Sequence, residues 1–473
     1  MRTNRRMKKV ISNMAAGSVA VCMAIGVSAC GIGDGMSAYT KDLTKQYRLE
    51  NYKEDDEQPA SKDAEQQAGT QGTGEQAGSQ DAGQQSVSQD AKQQTISEEF
   101  AGAYTDFALN LLKQSLGAQS EAKNTMVSPL SVMMALEMTR KGADGETLSQ
   151  MEATLYPGIA VEEGRKGLLA FSGNLPDAEK AHLSLANSIW FHTASENFTV
   201  DEDFLKTCAE DYDAQIYGAP FDESTLKDIN RWVERETDGM VKDILDKIPE
   251  EAIMYLVNAV AFEAEWADVY EEHQVRDADF YCEDGSITEV SMMYGEEHRY
   301  LKDAYADGFL KSYAAGYDFV ALLPEEGMSL SEYVNQLDGT TFLQTIREAE
   351  GTAVETGLPK FESETSLELS EVLSEMGMPR AFSDTMAEFP KMGTVREGYN
   401  IFINRVLHKT YINVDELGTK AGAATVVEMV AESAMESVEE PKRVILNRPF
   451  LYAIVEKESG LPVFIGAYFD KYM

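Results

Sequence analysis

Five histidines stand in the sequence: His182, His192, His273, His298 and His408. With the abundant serines and carboxylates they are ingredients for hydrolysis, which needs a hydroxyl nucleophile, an imidazole base and an orienting acid. The spacing argues against that chemistry. The chain has no Gly-x-Ser-x-Gly elbow, no His-Glu-x-x-His pair and no phosphate-cradling glycine loop. None of the histidines has metal-ligand spacing, so neither a metal nor a cofactor is expected.

A different chemistry is written into the run GTKAGAATVVEMVAESAMESVEEP, Gly418 to Pro441. Successive side chains of a strand point to opposite faces. The odd-numbered set Thr419, Ala421, Ala423, Thr425, Val427, Met429 and Ala431 carries no charge. The even-numbered set holds Lys420, Glu428 and Glu432. One face is therefore fit for burial and the other for water. Alanine and glycine are weak strand formers. Such a segment suits a strand that is exposed at first and joins a sheet later. It also suits an ordinary solvent-washed edge strand or an Ala-rich linker.

The elements around this run must come from a large core, since the chain has 473 residues and is 43% hydrophobic. The net charge of −40 excludes phosphate recognition, which needs clustered lysine and arginine. It equally disfavours docking to anionic lipid through a basic face. Arg2, Arg5, Arg6, Lys8 and Lys9 precede a mostly apolar stretch from Val10 to Val27, and Ser28-Ala29-Cys30 follow. This is the layout of a secretory signal. A cysteine directly after small residues resembles the bacterial lipobox. That resemblance implies a signal peptide over 1–29 and lipidation of Cys30, with the protein exported and held at the bacterial cell surface, facing outward. The membrane would be met through that lipid alone. Cys208 and Cys282 then remain; the sequence leaves one bridge possible, and two free buried thiols are expected.

Residues 30–97 read as a flexible tether, because Gln58 to Gln94 is rich in Gln, Ala, Gly, Ser and Asp and poor in large apolar residues. The folded body is expected over 98–473. Phe100, Tyr104, Phe107, Leu111 and Leu112 recur at helical spacing. Ser128-Pro129 opens a second helix, with Ser128 as N-cap, that ends near Gly142. Further helices are predicted at Asp203–Asp211, Leu226–Thr237 and Leu367–Met376. Strands are predicted at Leu183–Phe191, Ile253–Phe262, Phe319–Leu323, Tyr411–Val414, Phe450–Val455 and Val463–Tyr468. Helices lead and strands close the chain, which predicts an α+β fold with a large, mostly antiparallel sheet system.

From about Phe100 to Met473 the sequence resembles the serpins. The resemblance is carried in order by Asn124-Thr-Met-Val-Ser128-Pro129-Leu-Ser131, Gly142-Ala143-Asp144-Gly145-Glu146-Thr147, Ala186-Asn187-Ser188-Ile189-Trp190-Phe191, Ile229-Asn230-Arg231-Trp232-Val233, Leu256-Val257-Asn258-Ala259-Val260 through Trp266, Leu358-Pro359-Lys360-Phe361 and Asn447-Arg448-Pro449-Phe450. The stretch from Val406-Leu407-His408-Lys409 through Asp415-Glu416 to Gly418-Thr419-Lys420-Ala421-Gly422-Ala423-Ala424-Thr425 is similar to the hinge of the serpin reactive-centre loop. This resemblance implies the serpin fold, with a large central β-sheet, further sheets, about nine helices and an exposed reactive-centre loop.

The resemblance also implies a function. The loop is bait: a protease cuts it and is held as an acyl-enzyme while the cut loop inserts into the central sheet. The hinge would comprise Glu416, Gly418, Thr419, Ala421, Ala423 and Thr425. Family spacing places the cut about fourteen residues beyond Gly418, at Glu432-Ser433, within the reach of an extended strand. The segment from there to Asn447 is longer than usual in the family, so Val430, Ala431, Ala434 and Met435 stay open as alternative reactive-bond residues. An elastase-, subtilisin- or glutamyl-specific serine protease is the expected target, in a covalent complex with an otherwise monomeric inhibitor. Ser128, Ser131, Asn258 and His408 would form the polar shutter under the parting strands, and Trp266 would mark the breach where the loop first inserts. The family's glycine between the central strand and this tryptophan is Ala264 here. Two alternatives stay open: a non-inhibitory serpin-fold surface binding protein, and an inhibitor of a papain-like cysteine protease.

Overall fold

The computed structural model describes residues 36–48, 96–119, 121–419 and 442–470. Ala421, Ala423, Thr425 and every candidate for the reactive bond (Val430, Ala431, Glu432, Ser433, Ala434 and Met435) lie outside the described residues, as does Cys30 with the expected signal peptide.

The central sheet has seven strands: β1 (Lys41–Asp42), β2 (Ala181–His192), β3 (Gln215–Ala219), β4 (Met254–Glu265), β5 (Phe361–Glu368), β6 (Leu407–Val414) and β7 (Gly418–Thr419). Their order is β1-β3-β2-β4-β7-β6-β5. Only β2 and β3 run parallel within it. The longest pairing, β2 against β4, runs from Ala181↔Ala264 to Phe191↔Met254. A second sheet of six strands contains the final hairpin, Phe450–Glu456 and Pro462–Tyr468, both buried along their whole length. A four-stranded sheet joins Lys442–Ile445, Val354–Pro359, Ile287–Glu297 and Val275–Tyr281, and a two-stranded one joins Gly393–Val395 to Phe198–Val200.

The local signals explain the helices. Ser97 caps Glu98–Gly117 by accepting from the Phe100 N–H at 3.2 Å, and Phe100, Tyr104, Phe107, Leu111 and Leu112 form its buried stripe. Ser128 caps α1 (Pro129–Lys141), with proline in the first turn where its missing N–H costs nothing. This helix packs against β4 and so lies under the centre of the sheet. A helix α2 (Glu223–Glu236) contacts β2 and β4. Nine α-helices lie between Glu98 and Glu375 among the described residues.

Two expectations need correction. The helix predicted over Leu367–Met376 is shorter, Ser370–Glu375, because Leu367 and Glu368 pair with His408 and Leu407 in the sheet. Cross-strand pairing outweighs the local preference there. The tether predicted over 30–97 contains a folded piece: Ser37–Arg48 docks on the body, adding β1 and a short tenth helix, Thr44–Tyr47. Leu43 and Tyr47 are its apolar anchors. Cys208 and Cys282 are free and buried.

Candidate functional site

The site lies where β7 is wedged between β4 and β6. Thr419 pairs with Ala264 of β4 on one side and with Val414 of β6 on the other. The chain turns into the sheet through Asp415, whose carboxylate accepts from the N–H groups of Leu417 at 2.8 Å and Gly418 at 3.2 Å. The Asp415 N–H closes the turn on the Gly418 carbonyl at 3.0 Å. Gly418 has φ 156, and a Cβ there would stand 2.0 Å from the Ala264 carbonyl oxygen. Only glycine lets the backbone at this position come so close to β4. Ala264, which stands where a glycine was expected, forms the facing wall and is itself buried.

Thr419 is only 2% exposed. It is the first member of the uncharged odd-numbered face, and its own side chain turns inward; the later members lie outside the described residues. Its hydroxyl shares a 2.6 Å hydrogen bond with the Tyr313 hydroxyl. Tyr313 in turn stacks on Trp266, with ring centroids 4.4 Å apart. Trp266 holds the 415–417 segment by its backbone: its N–H donates to the Leu417 carbonyl and its indole N–H to the Asp415 carbonyl, both at 2.8 Å. The Tyr270 N–H donates to the Glu416 carbonyl at 2.9 Å.

Charges surround this aromatic anchor. Lys311 is buried, and its ammonium lies 5.3 Å from the Trp266 ring and 4.4 Å from that of Tyr270. It pairs with Glu297 at 2.8 Å and donates to the Asp268 carbonyl at 2.9 Å. Burial nevertheless raises the Glu297 carboxyl. The hydrogen bond from Lys360 lowers the Glu416 carboxyl, so the residue before Leu417 is anchored as an anion. Burial pushes up the Tyr313 phenol, which stays a neutral hydrogen-bonding group.

Past β7 the two flanking strands diverge around a cavity of about 1070 Å³. Val257, Ala259, Ser131, Asn258, His408 and Phe389 are among its lining residues. Ser128, Ser131 and His408 come together. His408 Nε2 accepts from the Ser128 N–H at 3.0 Å, the Ser128 hydroxyl donates to the Val463 carbonyl at 2.9 Å and also accepts from the Ser131 N–H at 3.3 Å. Burial lowers the His408 imidazole to about 4, so it is neutral at pH 7. Asn258 stands on the facing strand and is bound elsewhere. Its amide donates to Asn187 Oδ1 at 2.8 Å, and Asn187 donates to the Tyr212 carbonyl at 2.8 Å. The Asn258 Oδ1 atom is buried and makes no hydrogen bond among the described residues. The four residues expected to form one shutter are thus divided, with Asn258 on one side of the cavity and Ser128, Ser131 and His408 on the other.

Sequence reasoning missed Tyr313, Lys311 and Tyr270. Nothing in their local sequence marks them, because their partners are set by the tertiary fold. Lys360 and Asn187 were visible inside motifs without a role; their partners, Glu416 and Asn258, were the missing signal.

The geometry seats Gly418–Thr419 as an extended strand between β4 and β6, with the Thr419 side chain inward and a cavity lined by both strands beyond it. The family Serpin (serine protease inhibitor) matches residues 102–471. A serpin-like protein of Thermococcus kodakarensis is 28% identical over 77% of this chain and 84% of its own. The leukocyte elastase inhibitor of Bos taurus is 28% identical over 78% of this chain and 98% of its own. Among solved structures, the thermophilic serpin tengpin in its native state is 43% identical, covering 80% of this chain and 96% of that one with a TM-score of 0.74. Human thyroxine-binding globulin, at 24% identity and a TM-score of 0.68, shares the fold. The chain belongs to the serpin family, whose members are generally protease inhibitors.

Proposed function

We propose that this protein is a suicide-type inhibitor of a serine protease. The observation that carries the reading is the seated β7 strand: Gly418–Thr419 already lies between β4 and β6, above a cavity lined by both. Each further odd-numbered residue that followed Thr419 inward would add an uncharged side chain to this space. Ladder hydrogen bonds and apolar burial would then stabilise the inserted state over the starting one.

The chemistry is the protease's own. Its serine oxygen attacks the Glu432 carbonyl carbon, the bond to Ser433 breaks, and the Ser433 amine leaves with a proton. What remains is an ester between protease and inhibitor. Insertion of the severed strand then draws the esterified protease away from its attacking water's geometry. The cut is assigned to Glu432-Ser433, with Val430, Ala431, Ala434 and Met435 as neighbouring registers. An elastase-, subtilisin- or glutamyl-specific enzyme fits these residues, because none is basic. The lipobox-like Cys30 supports attachment to the outer surface of a bacterial cell.

Incubation with one protease of each class tests this. A denaturation-resistant complex is expected, together with a C-terminal fragment whose mass starts at Ser433. Cleavage with no complex would contradict inhibition and favour a binding module. A complex formed only with a papain-like enzyme would move the target class.

A further inference from the structure

Residues Ser37–Arg48 lie outside the part that matches the family, yet they are bound to the body in detail. The Ser37 N–H donates to both carboxylate oxygens of Asp228 at 3.0 Å, and the Thr40 hydroxyl donates to Oδ2 at 2.6 Å. Arg231 reaches the same carboxylate at 3.3 Å. Asp228 is 0% exposed, and a carboxylate so buried is costly unless its oxygens are met. Lys41 and Asp42 pair antiparallel with Gly218 and Tyr217, the Leu43 N–H donates to the Ile216 carbonyl at 2.8 Å, and the Ile216 N–H donates to the Thr44 hydroxyl at 3.0 Å. Arg48 ends the contact on Asp213 at 2.7 Å.

What this segment covers is informative. The β3 strand, Gln215-Ile216-Tyr217-Gly218-Ala219, has no charge and no proline. Its inner edge pairs with β2, and without β1 its outer edge would present open backbone donors and acceptors. Exposed edges of this type pair with other chains unless blunted by charge, proline, a bulge or a cover. The cover here replaces a five-residue uncharged edge by a two-residue strand whose side chains, Lys41 and Asp42, are exposed and charged.

We infer that Ser37–Arg48 is an edge-closing strand, and that when it is unseated the β3 edge becomes a binding surface for a second copy of this chain. The uncharged run is short and can face its own copy antiparallel across a two-fold axis, the symmetry that closes a pair. The same edge would accept the cover sequence supplied as a separate peptide, by strand addition.

The test uses the full chain. Leu43→Pro removes the N–H bound to Ile216 and leaves the serpin body unaltered. At micromolar concentration the natural chain is expected to sediment with the mass of one copy, and the variant with the mass of two as concentration rises. An excess of a synthetic peptide of residues 36–48 should return the variant to one copy; the same peptide with Thr40→Val and Leu43→Pro should not. Should Leu43→Pro fold poorly, the pair Ser37→Pro and Thr40→Val removes three of the Asp228 contacts and must give the same doubling. A variant that stays single, or association that persists in excess peptide, overturns the inference. So does an unprotected Leu43 amide in the natural chain by hydrogen exchange.

Discussion

The two ends of the gap between β4 and β6 are built differently. At one end Thr419 fills the space, and its hydroxyl, the hinge carbonyls and the Trp266 indole are all hydrogen-bonded. At the other end lie a cavity, a neutral buried imidazole and an amide oxygen with no hydrogen-bond partner among the described residues. The filled end resembles the interior of any protein, where buried polar groups are satisfied. The open end has polar groups and apolar walls that a further strand could meet. The contrast would give the proposed insertion a direction: from the end where the strand is already anchored toward the unfilled end.

Four substitutions probe that contrast. The largest effect is expected from Thr419→Arg, which would put an unpaired cation into a site now 2% exposed, at a cost of about 3–5 kcal/mol. The variant should be cut by the target protease without holding it, and gel analysis of complex against cleaved product measures this. An undiminished yield of complex would break the claim that this face goes inward.

Next is the open end. The His408 imidazole is depressed to about 4 in the folded protein, against an ordinary value near 6.5 in the unfolded chain. The unfolded state therefore binds more protons between these values. His408 contributes fully above pH 6.5, and its contribution, about 3 kcal/mol, is lost as pH falls toward 4. Denaturant titrations should show His408→Gln with a flatter fall in stability over this window than the natural chain. Equal slopes would mean that the imidazole is not held neutral.

Tyr313→Phe should cost about 1–3 kcal/mol, because it leaves the buried Thr419 hydroxyl without its phenolic partner. Thermal melts measure it, and Thr419→Val added to it should restore much of the loss. The smallest effect is expected from Lys360→Ala. Its ion pair with Glu416 is partly exposed on both sides, so less than about 1 kcal/mol should go, and salt should shrink the difference further.

Much of the filled end was legible in the sequence. Gly418 and Thr419 stood at the start of the alternating run, and the structure gives them a close backbone approach to β4 and a buried side chain; the hinge role itself stays a proposal. The caps at Ser97 and Ser128 were legible too, since capping is a local property. The open end was only half legible. Motif order named Asn258 and His408 together, but order cannot say whether two strands touch, and the structure holds Asn258 on Asn187 instead. The docking of Ser37–Arg48 was illegible for a related reason. Two apolar residues in a polar stretch do not predict burial, and the receiving groups, Asp228 and Ile216, lie more than 170 positions along the chain.

The most direct test is hydrogen exchange along 254–262 and 407–412 before and after one proteolytic cut within 420–441. The account predicts that the cut slows exchange of amides facing the cavity on both strands and raises the melting temperature. Unchanged exchange on both strands, with an unchanged melt, would contradict insertion between them.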